Sequence, residues 1–254
     1  MGPALAVAAA LVLLWSLPPE GDDGLRVAQA EAGACPKNMA SVRDRFCVDK
    51  FEAHLVEIAK ERRGTKIPEA VRKHSPFKPV AGKLVMAQTA KGTTPQGYIS
   101  RNEAEQACIQ AGKRLCSDEE WLEACRGKKP TLYPYGEDHK LGFCNDSGKS
   151  SFNLLFGPGQ NQPPEQSAYT NENMNDPRLN EMEGTVSKTG AFSKCKNSFG
   201  LFDMVGNLHE WTSASGGTFR GGYYLDTHIN GKGCDYKTSV PGPKNHEYPK
   251  GWHA

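Results

Sequence analysis

The sequence predicts one α+β domain, poor in regular structure and stapled by disulfides. Three observations predict it. The chain of 254 residues carries 27 glycines and 17 prolines, enough punctuation to break it into short elements joined by turns. Two helix starts are spelled out as capping boxes. Eight cysteines follow an apolar leader, and an even count behind an export signal favours disulfides over metal thiolates.

The bulk numbers narrow the function classes. A hydrophobic fraction of 37% points to a modest core and not to a helical bundle. The net charge is +2 with the signs interspersed, so no basic stripe marks a nucleic-acid binder. No CxxC pair occurs, which argues against a zinc ribbon or a thioredoxin-like site.

Residues 1–34 read as leader and spacer, and 35–254 as the domain. Ala4 to Leu17 is almost free of polar groups. That run is too short for a bilayer core, which needs about 20 residues, and it suits the apolar region of a signal peptide. Ala28-Gln29-Ala30 supplies a small-x-small cleavage site. The expectation is therefore export to a periplasmic or extracellular location with no membrane span in the mature form. Whether the leader is cleaved or kept as an anchor stays open. Cys35 is read as a structural residue of the domain and not as a lipidated one.

The elements follow in order. Cys35 to Lys50 predicts a short hairpin, with Phe46 and Val48 alternating around Cys47. Phe51 to Arg63 and Ile67 to His74 look polar and partly helical. Lys78 to Ala90 reads as extended or loop. Ser100-Arg101-Asn102-Glu103 opens a helix whose inner stripe is Ala104, Ala107, Cys108 and Ala111 and whose stop is Gly112. Ser117-Asp118-Glu119-Glu120 opens a second, carrying Trp121, Leu122 and Cys125 on one face and ending at Gly127. Its three acidic residues complement the positive end of the helix dipole. Residues 143–198 are rich in Asn, Gly, Pro and Ser, and a stretch that irregular needs ligands or disulfides to hold it. Phe199 to Trp211 and Thr218 to Leu225 read as strands around a Ser-Ala-Ser-Gly-Gly turn.

Four blocks, in order, resemble the formylglycine-generating-enzyme (sulfatase-modifying-factor) family. They are Cys47-Val48-Asp49-Lys50-Phe51-Glu52; Ala111-Gly112-Lys113-Arg114-Leu115 with Glu119-Glu120-Trp121-Leu122 and Ala124-Cys125-Arg126-Gly127; Phe199 through Trp211; and Arg220-Gly221-Gly222-Tyr223-Tyr224. The resemblance spans roughly residues 35–250. It implies a compact variant of the C-type-lectin-like fold with low regular structure, disulfides and bound calcium. Read without it, Trp121 and Trp211 are core aromatics, and the glycines supply positive φ or close backbone approach.

The resemblance implies a calcium ion held by Asp203, the Gly206 and Leu208 carbonyls and Glu210. The donor set is sensible, because calcium takes six to eight hard oxygens. Asp203 as a turn cap and Glu210 as a solvated charge is the alternative. A second calcium would fall on Asn145 and the Asp146 carbonyl with a group near Asn180 or Glu181. Asn145-Asp146-Ser147 is also a glycosylation sequon. Cys125 and Cys234 match a structural disulfide of the family. Cys35 with Cys47, and Cys144 with Cys195, are candidate pairs for the hairpin and the long loop. Cys108 matches a family cysteine whose near-terminal partner has no counterpart here, so whether Cys108 and Cys116 bond to each other or stay free is left open.

The family's enzymes use two cysteines after the double glycine to bind copper(I) and, with dioxygen, oxidise a substrate cysteine to formylglycine. Here those positions fall on Asp226 and Gly231, Tyr223 replaces a Ser, and His209 replaces a Trp. A carboxylate cannot form the copper thiolate, so copper chemistry is not expected. Three readings remain: a peptide- or protein-binding relative with a groove beside Tyr223, Tyr224, Asp226 and His228; an oxidoreductase of the same family, including an iron enzyme drawing on Asp226, His228, His209 and His246 as in ergothioneine- and siderophore-pathway relatives; and a calcium-stiffened structural module.

Overall fold

The structure is a computed structural model that describes residues 35–159 and 162–239. The apolar leader and His246 lie outside them. Among the described residues, three small antiparallel sheets and five short helices surround one main core.

The N-terminal hairpin pairs β1 (Met39–Val42) with β2 (Phe46–Asp49) around Arg43 and Asp44, both at positive φ. Cys35–Cys47 closes its base. The second sheet corrects the sequence reading. The segments expected to be partly helical are strands: β3 (Ala53–Ile58) and β4 (Ala70–Lys73), joined by β5 (Val85–Thr89) in the order β4-β3-β5. For β3 the cause is two-sided burial, whereas β4 is exposed along its whole length and carries no apolar alternation. Leu55, Val85 and Ala87 face one cluster, while Val56, Ile58 and Met86 face another. A strand covered on both faces loses the period-two alternation that would have revealed it.

Both capping boxes are formed. The Ser100 hydroxyl accepts from the Glu103 N–H, and the Glu103 carboxylate accepts from the Ser100 N–H, at the start of α1 (Arg101–Gln110). Ser117 and Glu120 do the same for α2 (Asp118–Arg126). Ala104, Ala107, Cys108 and Ala111 lay α1 on β3 and β5, at Leu55, Val85 and Ala87. From α2, Trp121, Ala124 and Cys125 enter the main core with Val42, Tyr133, Leu201 and Val205.

Among its described residues the long loop contains α3 (Ser151–Phe156), a 3-10 turn at Gln166–Ala168, α4 (Asn171–Met174) and α5 (Arg178–Glu181). Cys144–Cys195 clamps its ends, and both cysteines are fully buried. The last sheet is shorter than expected: β6 (Glu210–Trp211), β7 (Thr218–Arg220) and β8 (Lys237–Ser239), in that order. Residues 199–209 cannot stay extended because Gly200, Asp203, Gly206 and Asn207 all take positive φ. Cys125–Cys234 ties α2 to the chain just before β8. Cys108 and Cys116 are free thiols.

Candidate functional site

The two glycines after Arg220 set the local geometry. At Gly222 (φ +72°) a Cβ would overlap the Asp226 carbonyl, so only glycine fits against the turn that follows. Tyr223 and Asp226 bond to each other through both backbone N–H groups, at 2.9 and 3.1 Å. The Asp226 side chain is buried, and its Oδ1 accepts from the N–H groups of His228 (2.9 Å) and Ile229 (3.0 Å). Asp226 therefore caps a turn. His228 Nδ1 stands 3.3 Å from the same oxygen, with its ring largely exposed.

Beside this turn lies a ring cluster. His209 packs on Phe219, Tyr223 and Tyr236 at centroid separations of 4.4, 5.1 and 5.6 Å. Burial raises the Tyr223 hydroxyl well above its ordinary value. Tyr224 is a core residue, contrary to its expected place in a groove: its hydroxyl lies 2.7 Å from that of Ser151 and donates to the Leu179 carbonyl. The structure thus places Asp226, His228, Tyr223 and His209 in one neighbourhood. It does not gather three metal ligands, since among the described residues no three His, Cys, Asp or Glu side chains are arranged to hold an ion. An iron centre built from Asp226, His228 and His209 does not fit this arrangement.

A different set of oxygens surrounds the Asp203–Glu210 loop. Gly206 (φ +80°) is forced by the Asn145 carbonyl, which a Cβ would overlap. Asp203 is buried and its Oδ2 accepts from the Gly190 N–H at 2.6 Å. Glu210 accepts from the Trp121 indole N–H. Glu52, which sequence reasoning did not single out for chemistry, accepts from the Asn207 amide and from the Leu208 N–H at 3.2 Å. These three carboxylates act on one another. Burial pushes the Asp203 carboxyl up to about 6. Burial, reinforced by Asp203, pushes Glu210 up to about 7. Glu52 is raised by burial and then by Asp203 and Glu210. Among the described residues none of the three has a Lys, Arg or His ion-pair partner. Glu52 and Asp203 are buried and Glu210 is half-buried, and like charges placed this way without a counter-ion favour the protonated form.

The second loop is less open to a ligand. The Asn145 amide donates to the Thr185 carbonyl and to Asn207 Oδ1, both at 2.9 Å, and the residue is buried. A sequon held this way cannot accept a glycan in the folded protein. The Asp146 carboxylate is fully buried, with Oδ2 at 2.8 Å from His139 Nε2.

A large open groove of about 2030 Å³ lies elsewhere, between the β1–β2 hairpin, β3, β5, α1 and α2. Cys108, Cys116, His54 and Glu210 line it, whereas Tyr223, Asp226 and His228 do not. Burial pushes both thiols up to about 12, so neither is a nucleophile at neutral pH.

Polar pairs stitch the four sequence blocks together. Lys113 reaches both Asp49 oxygens at 2.8 Å. Glu52 holds Asn207 and Leu208, and Trp121 holds Glu210. Arg220 grips Asp118 through two bonds at 2.6 and 2.7 Å. Residues 48–240 match the family described as the sulfatase-modifying factor enzyme 1-like domain. The chain belongs to this family.

Among curated members, the chain is 31% identical over 121 residues to the inactive C-alpha-formylglycine-generating enzyme 2 of Bos taurus, covering 47% of this chain and 33% of that one. It is 32% identical over 120 residues to the formylglycine-generating enzyme of Mus musculus, covering 47% and 27%. The matches thus span about a third of these relatives. Among solved structures, Treponema denticola variable protein 1 aligns over 82% of this chain and 94% of its own at a TM-score of 0.37 and 13% identity, too distant to argue from. The polar stitching between blocks gives the family pattern a physical basis in this chain. The motif residues hold the core and the Gly221-Gly222 turn in place.

Proposed function

We propose that this protein is an exported sulfatase-modifying-factor-like module that binds a peptide or protein and does not generate formylglycine by copper chemistry. One observation carries the reading. At the turn after Gly221-Gly222, where the family resemblance puts the first copper-binding sulfur, stands Asp226, whose Oδ1 is spent on two backbone N–H groups. The second position is Gly231. Six cysteines are consumed in disulfides, and the two free ones line the groove beside α1 and α2, which does not include the Asp226 turn. A copper(I) site of two thiolates does not fit these residues. That curated relatives include one named as inactive agrees with this reading.

Calcium belongs to the same proposal. Asp203 and Glu210 would hold it with the Gly206 and Leu208 carbonyls, where it would balance the charge shared with Glu52. A weaker second ion would involve Asn145 and Asp146. In this reading calcium stiffens the loop that carries His209 and supports the ring cluster around Tyr223. The exposed His228 and the partly exposed Tyr223 are then the groups a ligand meets.

The test is metal analysis of the purified protein together with incubation of a sulfatase-motif peptide with copper and dioxygen. Calcium without copper and an unchanged peptide cysteine are expected. Aldehyde on the peptide would overturn the reading in favour of an oxidoreductase.

A further inference from the structure

Strand β4 ends its sheet and is bonded on one side only, to β3. All four of its residues are exposed. Val71 is 64% exposed, and Ile67 just before it 44%. The His74 N–H donates to the Leu55 carbonyl at 3.0 Å. Alternation along an antiparallel strand therefore turns the Lys73 N–H outward, away from β3. An edge of this kind is a template for another strand.

The charge around it is one-sided. From Lys60 to Lys73 the chain carries Lys60, Arg62, Arg63, Lys66, Arg72 and Lys73 against Glu61 and Glu69, although the whole chain is only +2. Among the described residues, Arg72 is the one member of this set in an ion pair, with Glu57 at 2.6 Å. Lys83 shares that carboxylate at 2.8 Å. The cations, Pro68 and the register shift between Glu57 and Ile58 are devices that keep an edge from pairing with its own kind. They do not oppose a strand of the other sign. Two copies of β4 side by side would set Arg72 and Lys73 against the same cations, so a second copy of this chain is the wrong occupant.

We propose that the outer edge of β4 is a docking strand for an extended, acidic segment of a partner protein. The partner's backbone continues the sheet, its carboxylates meet Arg63, Lys66 and Lys73, and an alternate apolar side chain covers Val71. This surface is separate from the Gly221-Gly222 turn, and its failure would leave the reading of that turn standing.

A short fluorescent peptide of alternating glutamate and valine tests it, with a lysine–valine peptide as control. Anisotropy at low and at physiological salt should show binding of the acidic peptide alone, weakened by salt. Backbone amide exchange should slow at residues 70–73. Charge reversal by Arg63→Glu, Lys66→Glu and Lys73→Glu together should weaken binding about tenfold or more and hand preference to the lysine peptide. Lys73→Pro, which removes the outward donor, should weaken binding with the melting temperature kept. Absence of binding at low salt overturns the proposal, as does binding without protection at 70–73. A single-stranded oligonucleotide of equal charge that binds as tightly would also overturn it, because the surface would then be a polyanion patch and not a docking strand.

Discussion

Asp118 begins α2 and also answers for Arg220, whose side chain is 7% exposed. Hydrogen bonds from Arg220, and then from Lys237, hold its carboxyl at about 2, below its ordinary 3.8. A carboxylate depressed by folding stabilises the protein above its unfolded value, and the stabilisation is lost as pH falls through the folded one. Asp118→Asn should therefore cost about 2 kcal/mol at pH 7. The gap to the wild type should close between about pH 4 and pH 2. Urea unfolding across that range measures it, and a gap independent of pH would mean that shape and not charge matters at Asp118. The carboxylates of the Asp203–Glu210 loop have the opposite tendency, since burial raises them. If calcium relieves them, saturating calcium should raise the melting temperature by roughly 5–10 °C. Glu210→Gln should remove most of that gain in calorimetry with calcium against EDTA. An unmoved wild type would sink the site.

At the scale of elements, the helices were legible and the second sheet was not. Ser100 with Glu103 and Ser117 with Glu120 announced α1 and α2 because capping is local chemistry, readable in four residues. Ser117→Ala should cost about 1 kcal/mol, seen as a melting-point drop of about 2–4 °C. Strand β3 is illegible in the sequence because its environment is tertiary, while the exposed β4 shows no apolar alternation at all. Leu55 and Val56 are adjacent and both buried, on opposite faces, which no alternation rule detects. Of the strand expected over Phe199 to Trp211 only Glu210–Trp211 forms, and residues 199–209 depart for another reason: Asp203 and Asn207 take positive φ without being glycine. Their side chains hold that backbone, Asp203 through Gly190 and Asn207 through Glu52 and the Ser187 carbonyl. Those partners are far away in sequence, so the signal was absent locally. Glu52 went unassigned to chemistry for the same reason.

At the scale of the molecule, the family pattern reads as a set of joints. Asp49–Lys113, Glu52–Asn207 and Trp121–Glu210 each connect two different blocks, and Asp118, at the start of the helix that carries the second block, holds Arg220 of the fourth. The candidate site was legible in sequence as a replacement, Asp226 where sulfur was expected, but its role as a turn cap required coordinates. The large groove between the hairpin and the helices was not anticipated. Cys108 and Cys116 face it with thiols that burial keeps protonated. Alkylation of the native protein near pH 7 should be slow at both and become fast in denaturant. Mass spectrometry after timed quenching reads this directly, and prompt native labelling would show that the groove exposes them.

The Cys144–Cys195 bond lies inside the interval spanned by Cys125–Cys234. A protease that nicks the chain anywhere between those inner cysteines, for example in the segment carrying α4, therefore frees no fragment. Both pieces remain covalently tethered and migrate as one band until a reductant is added. A chain cut once in this loop thus keeps its two halves in register.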